Sequence, residues 1–409
     1  MEFFKVLSLK ESYELLQKQQ IKRKVEEVEL AKASNRILAQ EIIAREDWPL
    51  AARSSMDGYA LRAEDTFGAS ETNPAYLHFK GEILIDKPAD FSLSSGECAS
   101  IVTGGILPPG ADSVLMVEHS ERLSAELVEV RKAVFPGENV LLAGEDFKQG
   151  EVVFKSGTPL DFRQIGALAT LGYARVKVFS MPSIGILSTG DELVEVSKKP
   201  EPGQVRDVNT YTLKALLTKY GFFARTYNFV PDDKEKLKEA IQKALAEVDV
   251  LLLSGGSSVG TRDLTLEVLK DFPGSEILFH GLALSPGKPT LMVKWQDKFV
   301  LGLPGQVTSA QVVLMVLGLP FLRFVAGEEG AFANLWPYKT RARLTRNIAS
   351  KQGRFDFVRV KFNPETNTVT PVLGKSGLIK TLLLAQGLVP IADNLEGLLS
   401  GQEVEVWLF

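Results

Sequence analysis

The chain has 409 residues, too many for one hydrophobic core, so about two to four domains are expected. Hydrophobic residues are 45% and charged residues 24%, and the net charge of -4 gives no bulk attraction for nucleic acid or a membrane. The single cysteine, Cys98, excludes an internal disulfide and a cysteine-based zinc site, which suits a reducing, cytoplasmic setting.

In chain order, Met1-Glu-Phe-Phe-Lys5 lacks the apolar stretch of a signal peptide. Ser8-Leu-Lys-Glu11 has capping-box spacing and predicts a helix to about Gln19. A second helical run is expected near Leu30–Ala39, on Leu30, Ala33, Ile37 and Leu38. From about Gly81 to Leu160 the pattern is β-type: Ile83–Ile85, Ser100–Thr103, Val114–Val117, Leu127–Val130 and Val152–Phe154, divided by Gly and Pro turns. Asp161 then caps a helix, Phe162–Leu171, ended by Gly172.

From Ser183 strands and helices alternate, which predicts a doubly wound α/β sheet. Ser183–Leu187 and Phe222–Val230 read as strands, with a helix through Leu213, Leu216, Leu217 and Tyr220 between them. A helix on Leu237, Ile241, Ala244 and Leu245 leads into the strand Val250–Leu253. Ser254-Gly-Gly-Ser-Ser-Val-Gly260 follows, then Asp263 and an apolar run from Leu264 to Leu269. Gly255, Gly256, Ser258 and Gly260 would let backbone N–H groups approach an anion at the sheet's carboxyl edge, where ligands of such sheets bind. The alternative is a tight strand–helix turn that needs glycine. No Gly-Lys-Ser/Thr follows, so this is not the Walker pattern. Thr290–Trp295 and Lys298–Leu303 predict a hairpin, and Val307–Val316 a closing helix. The apolar run Val312–Val325 is broken by Gly318, Pro320 and Arg323, so no membrane span is expected. After Gly330, Thr340–Leu344, Arg354–Lys361, Thr368–Val372 and Glu403–Leu408 predict a β-barrel or β-sandwich.

Several acidic residues fall at strand ends. Asp191 and Glu192 follow the first α/β strand, Asp232 and Asp233 the second, and Asp263 the glycine loop. All three loops are expected on one edge. Converging carboxylates would repel a phosphate unless a cation intervenes, and Mg²⁺ binds through one or two carboxylates plus phosphate oxygens. Asp232, Asp233 and Asp263 can equally be helix N-caps. Lys288, in Pro286-Gly-Lys-Pro289, offers a point charge for phosphate, and Gly302-Leu-Pro-Gly305, with Pro304 and Gly305 as candidate ligand contacts, could offer backbone donors. Outside this segment, Arg53-Ser-Ser-Met-Asp-Gly-Tyr-Ala60 places Asp57 in a turn, and Ile101-Val-Thr-Gly-Gly105 forms a glycine-rich rim.

Together these motifs resemble the molybdopterin molybdenumtransferase family, MoeA in bacteria and the E domain of gephyrin. The resemblance spans almost the whole chain, on Ser55-Met-Asp-Gly-Tyr-Ala60, Thr103-Gly104 with Pro109-Gly-Ala-Asp112, and Gly137-Glu-Asn139 with Gly144-Glu-Asp146. It continues through Ser188-Thr-Gly-Asp-Glu-Leu193, Ser254-Gly-Gly with Ser258-Val-Gly260 and Asp263, Pro286-Gly-Lys-Pro289, and Gly302-Leu-Pro-Gly305.

It implies an N-terminal linker domain (1–26 and 144–178), an inserted β-rich domain (27–143), an α/β molybdopterin-binding domain (179–327) and a C-terminal β-barrel-like domain (328–409). The implied activity is insertion of molybdate into adenylylated molybdopterin, with Mg²⁺ and release of AMP. The implied assembly is a homodimer with a cleft shared between subunits, supplied by a molybdopterin adenylyltransferase. Asp57, Thr103, Asp146, Glu192, Asp232 and Asp263 would fall in that cleft, with Glu192, Asp232 and Asp263 as metal ligands. Arg354 in Gly353-Arg-Phe-Asp356 and Ser376 in Lys375-Ser-Gly377 match residues of the family's C-terminal domain. The departures thin out the cations. Leu141, Leu142 and Ala143 stand where the family usually has arginines, Ser285 and Gly281 where it has lysines, and Gln306-Val307 where it has Asn-Pro. A paralogue that binds or delivers molybdopterin without turnover, or a dimeric scaffold, is therefore the alternative.

Overall fold

The computed structural model describes residues 6–255 and 264–409. The first helix is Leu9–Gln17, and its start is the expected capping box: Ser8 accepts from the Glu11 N–H while Glu11 accepts from the Ser8 N–H.

The second predicted helix does not form. Only Leu30–Lys32 makes a 3-10 turn, and Asn35 then takes the left-handed conformation at φ 62°, which a helix interior cannot contain. Leu38 and Ile42 turn instead into a core with Leu160, Leu168, Val176 and Val178. Val25–Glu29 pairs with Arg175–Phe179, and Ile42–Ile43 with Val152–Phe154. Packing thus ties residues 27–44 to the segment after 150, so the division expected at residue 27 falls inside a paired strand. For the same reason Val152–Phe154 lies outside the main β-module sheet.

That sheet has six strands in the order Ser113–Met116, Gly58–Leu61, Glu97–Ile101, Ala75–Ile83, Leu127–Val130, Ser120–Arg122. It buries one face on Tyr59, Leu61, Leu77, Leu115 and Val128, and the other on Ala60, Ile83, Ile101 and Val114. Alternation along Gly58–Leu61 explains the two cores, because successive side chains leave opposite faces.

The α/β sheet runs Ala224–Thr226, Ile184–Ser188, Val250–Ser254, Lys298–Leu303, Leu291–Trp295, Ser275–His280. The first four strands are parallel and the last two join antiparallel. Both faces are covered, so the central strand Val250–Ser254 is buried throughout. The strand expected over Phe222–Val230 is regular only over Ala224–Thr226. The chain then follows its neighbour through the Tyr227 N–H to the Ile186 carbonyl and the Val230 N–H to the Ser188 carbonyl.

The closing helix runs well past Val316. Val307–Val313 and Leu319–Val325 are joined by a π-helical stretch, Leu314–Gly318, so the Pro320 ring is accommodated without a break. Val307–Val325 is long and apolar enough to cross a membrane, but 78% of its apolar window is buried within the chain. It is the core helix of the α/β unit. Phe321 is fully buried and packs edge-on against Phe299 at 5.0 Å. Phe321→Ala is expected to cost about 3–5 kcal/mol, visible as early loss of amide protection in Lys298–Leu303 during hydrogen exchange.

The C-terminal sheet closes on itself. Phe355–Asn363, Thr368–Pro371, Lys339–Leu344, Glu403–Leu408 and Gly387–Ile391 form a ring, because Gly387–Ile391 also pairs with Phe355–Asn363. This is a small five-stranded barrel. Leu284–Ser285 of the α/β unit adds to it in parallel beside Phe355 and Asp356.

Candidate functional site

Three parallel strands end level. Ser188 pairs with Ser254, and Ser254 with Leu303. The chain segments that follow, beginning at Thr189, Gly255 and Pro304, therefore leave the sheet side by side at its carboxyl edge. Gly255 has φ +100°, and a Cβ there would stand 2.0 Å from the Thr189 carbonyl oxygen. Gly305 lies against it, its own Cβ direction 3.8 Å from the Gly255 Cα. At position 255 only glycine permits the two backbones to come this close. A cavity of about 950 Å³ opens above these turns, between the α/β sheet and the barrel.

One wall is acidic, formed by Asp191, Glu192 and Asp232. The Thr189 hydroxyl donates to Asp232 Oδ1 at 2.8 Å, and the Asp232 N–H donates to Asp191 Oδ1 at 3.0 Å. Asp233 is the N-cap of the helix Lys234–Glu247, accepting from the Lys236 N–H, so capping does not use Asp232. The Glu192 carboxylate is exposed and has no hydrogen bond or ion pair among the described residues. Asp263, Gly256, Ser258 and Gly260 lie outside the described residues.

The opposite wall carries Lys288, Arg354 and Ser376. The Lys288 loop is held at both ends. The Lys288 carbonyl accepts from the Leu282 and Thr290 N–H groups, and Leu7 brackets the loop through Gly281 and Ala283. The Lys288 ammonium is exposed and makes no ion pair among the described residues. Arg354 faces its own carboxylate, with Nε 2.9 Å from Asp356 Oδ1, so part of its charge is already compensated. Ser376 is brought in from the barrel: its carbonyl accepts from both the N–H and the hydroxyl of Thr308, at the start of the core helix.

Asp57, Thr103 and Asp146 do not line this cavity. Asp57 Oδ1 accepts from the Thr103 N–H at 2.6 Å and the Thr103 hydroxyl at 2.8 Å. These two donors, the N–H first, hold the Asp57 carboxyl below its usual range. Any stability linked to that carboxylate is present above its unfolded pKa and lost as pH falls through the lower folded value. Thr103→Val is expected to move the Asp57 midpoint upward in a carbon-detected NMR titration, and an unmoved midpoint would remove the hydroxyl as a cause. Asp146 is an exposed turn residue whose N–H donates to the Trp48 carbonyl.

Three residues that sequence reasoning passed over shape the site. Asp207 is 7% exposed, and its Oδ1 accepts from the Ser188 hydroxyl and the Thr210 N–H. Asn209 Nδ2 donates to Ser254 Oγ at 2.7 Å and to the Gly305 carbonyl at 2.8 Å, tying two strand ends together. The available signal was Asp-Val-Asn just before an apolar helical run, an N-terminal helix signature. Arg359 is buried, donating to Thr381 Oγ1 and the Gly374 carbonyl, and burial lowers its pKa. It braces the loop that presents Ser376, a role with no local sequence signal.

Three family models match in order: the MoeA N-terminal region (domains I and II) over residues 7–172, the "probable molybdopterin binding domain" over 185–323, and the MoeA C-terminal region (domain IV) over 341–409. The chain is 38% identical over 394 residues to a Methanocaldococcus jannaschii protein provisionally named for molybdopterin biosynthesis, covering 94% of this chain and 92% of that one. It is 30% identical to the molybdopterin molybdenumtransferase of Staphylococcus epidermidis, covering 98% and 95%. The crystal structure of a molybdopterin biosynthesis MoeA protein from Pyrococcus horikoshii superposes with TM-score 0.82 at 30% identity, covering 99% of this chain and 100% of that one. The chain belongs to the MoeA family and is a homologue of the molybdopterin molybdenumtransferases of molybdenum cofactor biosynthesis.

Proposed function

We propose that this chain inserts molybdate into adenylylated molybdopterin and releases AMP. The observation that carries this reading is the cavity itself. One opening joins the glycine turns of the sheet edge, a wall of carboxylates and a wall with a lysine that makes no ion pair among the described residues. Such a site suits a long anionic ligand whose phosphates need both backbone donors and charge compensation.

The donor set fits Mg²⁺. Its donors are carboxylate oxygens, and Glu192 together with the second oxygen of Asp232 has no hydrogen-bond partner among the described residues. Among the described residues no three His, Cys, Asp or Glu are grouped so as to hold a metal ion by themselves, and Mg²⁺ needs only one or two carboxylates when substrate phosphates complete its shell. Glu192 and Asp232, with Asp263, would hold the ion, which would supply Lewis-acid stabilisation of the charge on the departing phosphate. Thr189 orients Asp232. Lys288, Arg354 and Ser376 bind and orient the oxyanion. The glycine turns admit the ligand's phosphate, and a water oxygen adds to one phosphorus of the phosphoanhydride as its bridging P–O bond breaks, giving AMP and molybdopterin that keeps its own phosphate, with the water proton released to solvent.

Asp57 and Thr103 enter this scheme from a second copy of the chain. Their absence from the cavity, and the exposure of Asp57, support a site completed across a homodimer. A cytoplasmic location and an adenylyltransferase that supplies the adenylylated ligand complete the reading.

The purified protein is expected to release AMP from adenylylated molybdopterin when given molybdate and Mg²⁺, and to stop when the ion is chelated. Absence of AMP release under these conditions removes the enzymatic reading. A second reading, a protein that binds or delivers molybdopterin without cleaving it, draws on the charge balance. Three lining carboxylates, Asp191, Glu192 and Asp232, face two cations, and Arg354 is already paired with Asp356. Tight ligand binding without AMP release is its signature.

A further inference from the structure

Arg354 lines the main cavity from the barrel side, and only one edge of its guanidinium is engaged. Nη2 donates to Asp356 Oδ2 at 3.2 Å. Nε stands 2.9 Å from Asp356 Oδ1, out of line for a hydrogen bond. Nη1 has no hydrogen-bond or ion-pair partner among the described residues. Asp356 does not line the cavity. It is buried, and its Oδ2 also accepts from the Ser350 hydroxyl at 2.7 Å. Its backbone is fixed on both sides, paired with Ile391 of the barrel and with Ser285 of the α/β unit. Ser285 opens the loop that carries Lys288. The carboxylate that holds Arg354 is therefore anchored in the same frame as the second cation of this wall.

Two physical effects of Asp356 on an anionic ligand oppose each other. As a negative charge beside the site, it weakens anion binding. As a fixed partner for a long side chain, it orders Arg354 before the ligand arrives, so less rotamer freedom is lost on binding. We propose that the second effect dominates and that Asp356 is a positioning residue. It takes the Nε–Nη2 edge of Arg354 and leaves the Nη1 edge for a phosphate oxygen of the ligand. This assignment rests on the reading of the cavity as the site of a phosphate-bearing ligand, and it adds a residue that acts on that ligand only through Arg354.

The test is a double-mutant cycle read by calorimetric titration of the full chain with inorganic pyrophosphate. Asp356→Asn keeps an acceptor for the Ser350 hydroxyl, removes one negative charge and turns an NH₂ toward Arg354. It is expected to bind pyrophosphate about 5- to 20-fold more weakly than wild type, although the protein has become more positive. In an Arg354→Ala background the same change is expected to alter affinity by less than about 2-fold. Unchanged or tighter binding by Asp356→Asn would mean that charge prevails over position. An equal loss with and without Arg354 would mean general damage to the barrel, and either result overturns the assignment. Ser350→Ala, which loosens Asp356 from outside the cavity, gives a second cycle if Asp356→Asn fails to fold. A loss of about 2- to 5-fold is expected there, again only when Arg354 is present, and an unchanged affinity overturns the assignment. Failure of the wild type to bind pyrophosphate removes Arg354 as an anion contact and the role of Asp356 with it. Release of AMP, measured on the same preparations, decides the enzymatic reading separately. The expected cycle in a protein that releases no AMP would keep Asp356 assigned and remove that reading, whereas AMP release without coupling between the two residues would do the reverse.

Discussion

Replacing Glu192 by Gln is expected to lower AMP release by about 100-fold or more while leaving stability within about 0.5 kcal/mol of wild type. The two halves of this expectation have separate grounds. The Glu192 carboxylate is exposed and makes no hydrogen bond or ion pair among the described residues, so its replacement by an amide costs the folded state little. It shares the cavity wall with Asp191 and Asp232, so removing one carboxylate even relieves repulsion when no cation is present. What the amide loses is a charged oxygen donor for a hard cation. Asp232→Asn should resemble it in activity, with a further small loss of stability because Asp232 Oδ1 also accepts from Thr189. AMP release and thermal unfolding measured on the same preparations check both halves. Near-wild-type release by Glu192→Gln would take this carboxylate out of the mechanism. Glu192→Gln also tests the shared site. Co-expressed with Asp57→Ala, it is expected to recover part of the activity that neither variant has alone, because mixed dimers would hold one intact cleft.

Gly255→Ala is expected to destabilise the sheet edge by about 3 kcal/mol and to abolish ligand binding. The residue stands at φ +100°, and the added methyl would lie 2.0 Å from the Thr189 carbonyl oxygen. That oxygen belongs to backbone and cannot swing aside. Relief requires the turn at Gly255 to separate from the turn at Thr189, which would displace Asp232 through the Thr189 hydroxyl. Gly172→Ala is the control. It also has a positive φ, +75°, but nothing within 4 Å of the added Cβ. It should show only the conformational penalty, about 1–2 kcal/mol. Melting temperature and ligand affinity should fall together for Gly255→Ala, and affinity should survive in Gly172→Ala. Wild-type affinity in Gly255→Ala would mean that the two turns need not touch for the site to work.

Local signals were readable wherever a few neighbouring residues satisfy each other. Ser8 with Glu11 forms the expected capping box, and Asp161 caps its helix as expected, with Gln164 completing a second box, because each closes within three residues. The run Val250–Leu253 was legible as a buried strand because all four residues are apolar, and the observed strand, buried throughout, extends one residue further to Ser254. The hairpin Leu291–Trp295 to Lys298–Leu303 was legible because Gln296 and Asp297 supply a two-residue turn, with Gln296 at φ 56°.

Errors arose where distant partners outweighed local preference. The spacing of Leu30, Ala33, Ile37 and Leu38 suits a helix, but Leu38 is held by Val178 and Ile37 by Pro159 in extended bridges. Pro320 read as a stop, but the π-helical stretch before it lets the helix continue to Val325. The barrel strand Gly387–Ile391 was passed over, since it is short and contains Pro390, and its place comes from pairing with both Phe355–Asn363 and Glu403–Leu408.

Composition and ordered motifs were enough to settle the family, the α/β and β character, and the residue types at the sheet edge, because glycine, proline and acid clusters carry chemistry that survives out of context. The tertiary structure alone decided which of those residues share a space. The register of Ser188, Ser254 and Leu303 sets the turns at Thr189, Gly255 and Pro304 in contact, and the docked barrel brings Arg354 and Ser376 across from them. It also decided that Asp207 is buried beneath the strand ends, and that Asp57 and Thr103 stand elsewhere in the same chain. Those distances follow from strand pairing and domain docking over tens to hundreds of residues, a range at which no local pattern in the chain records them.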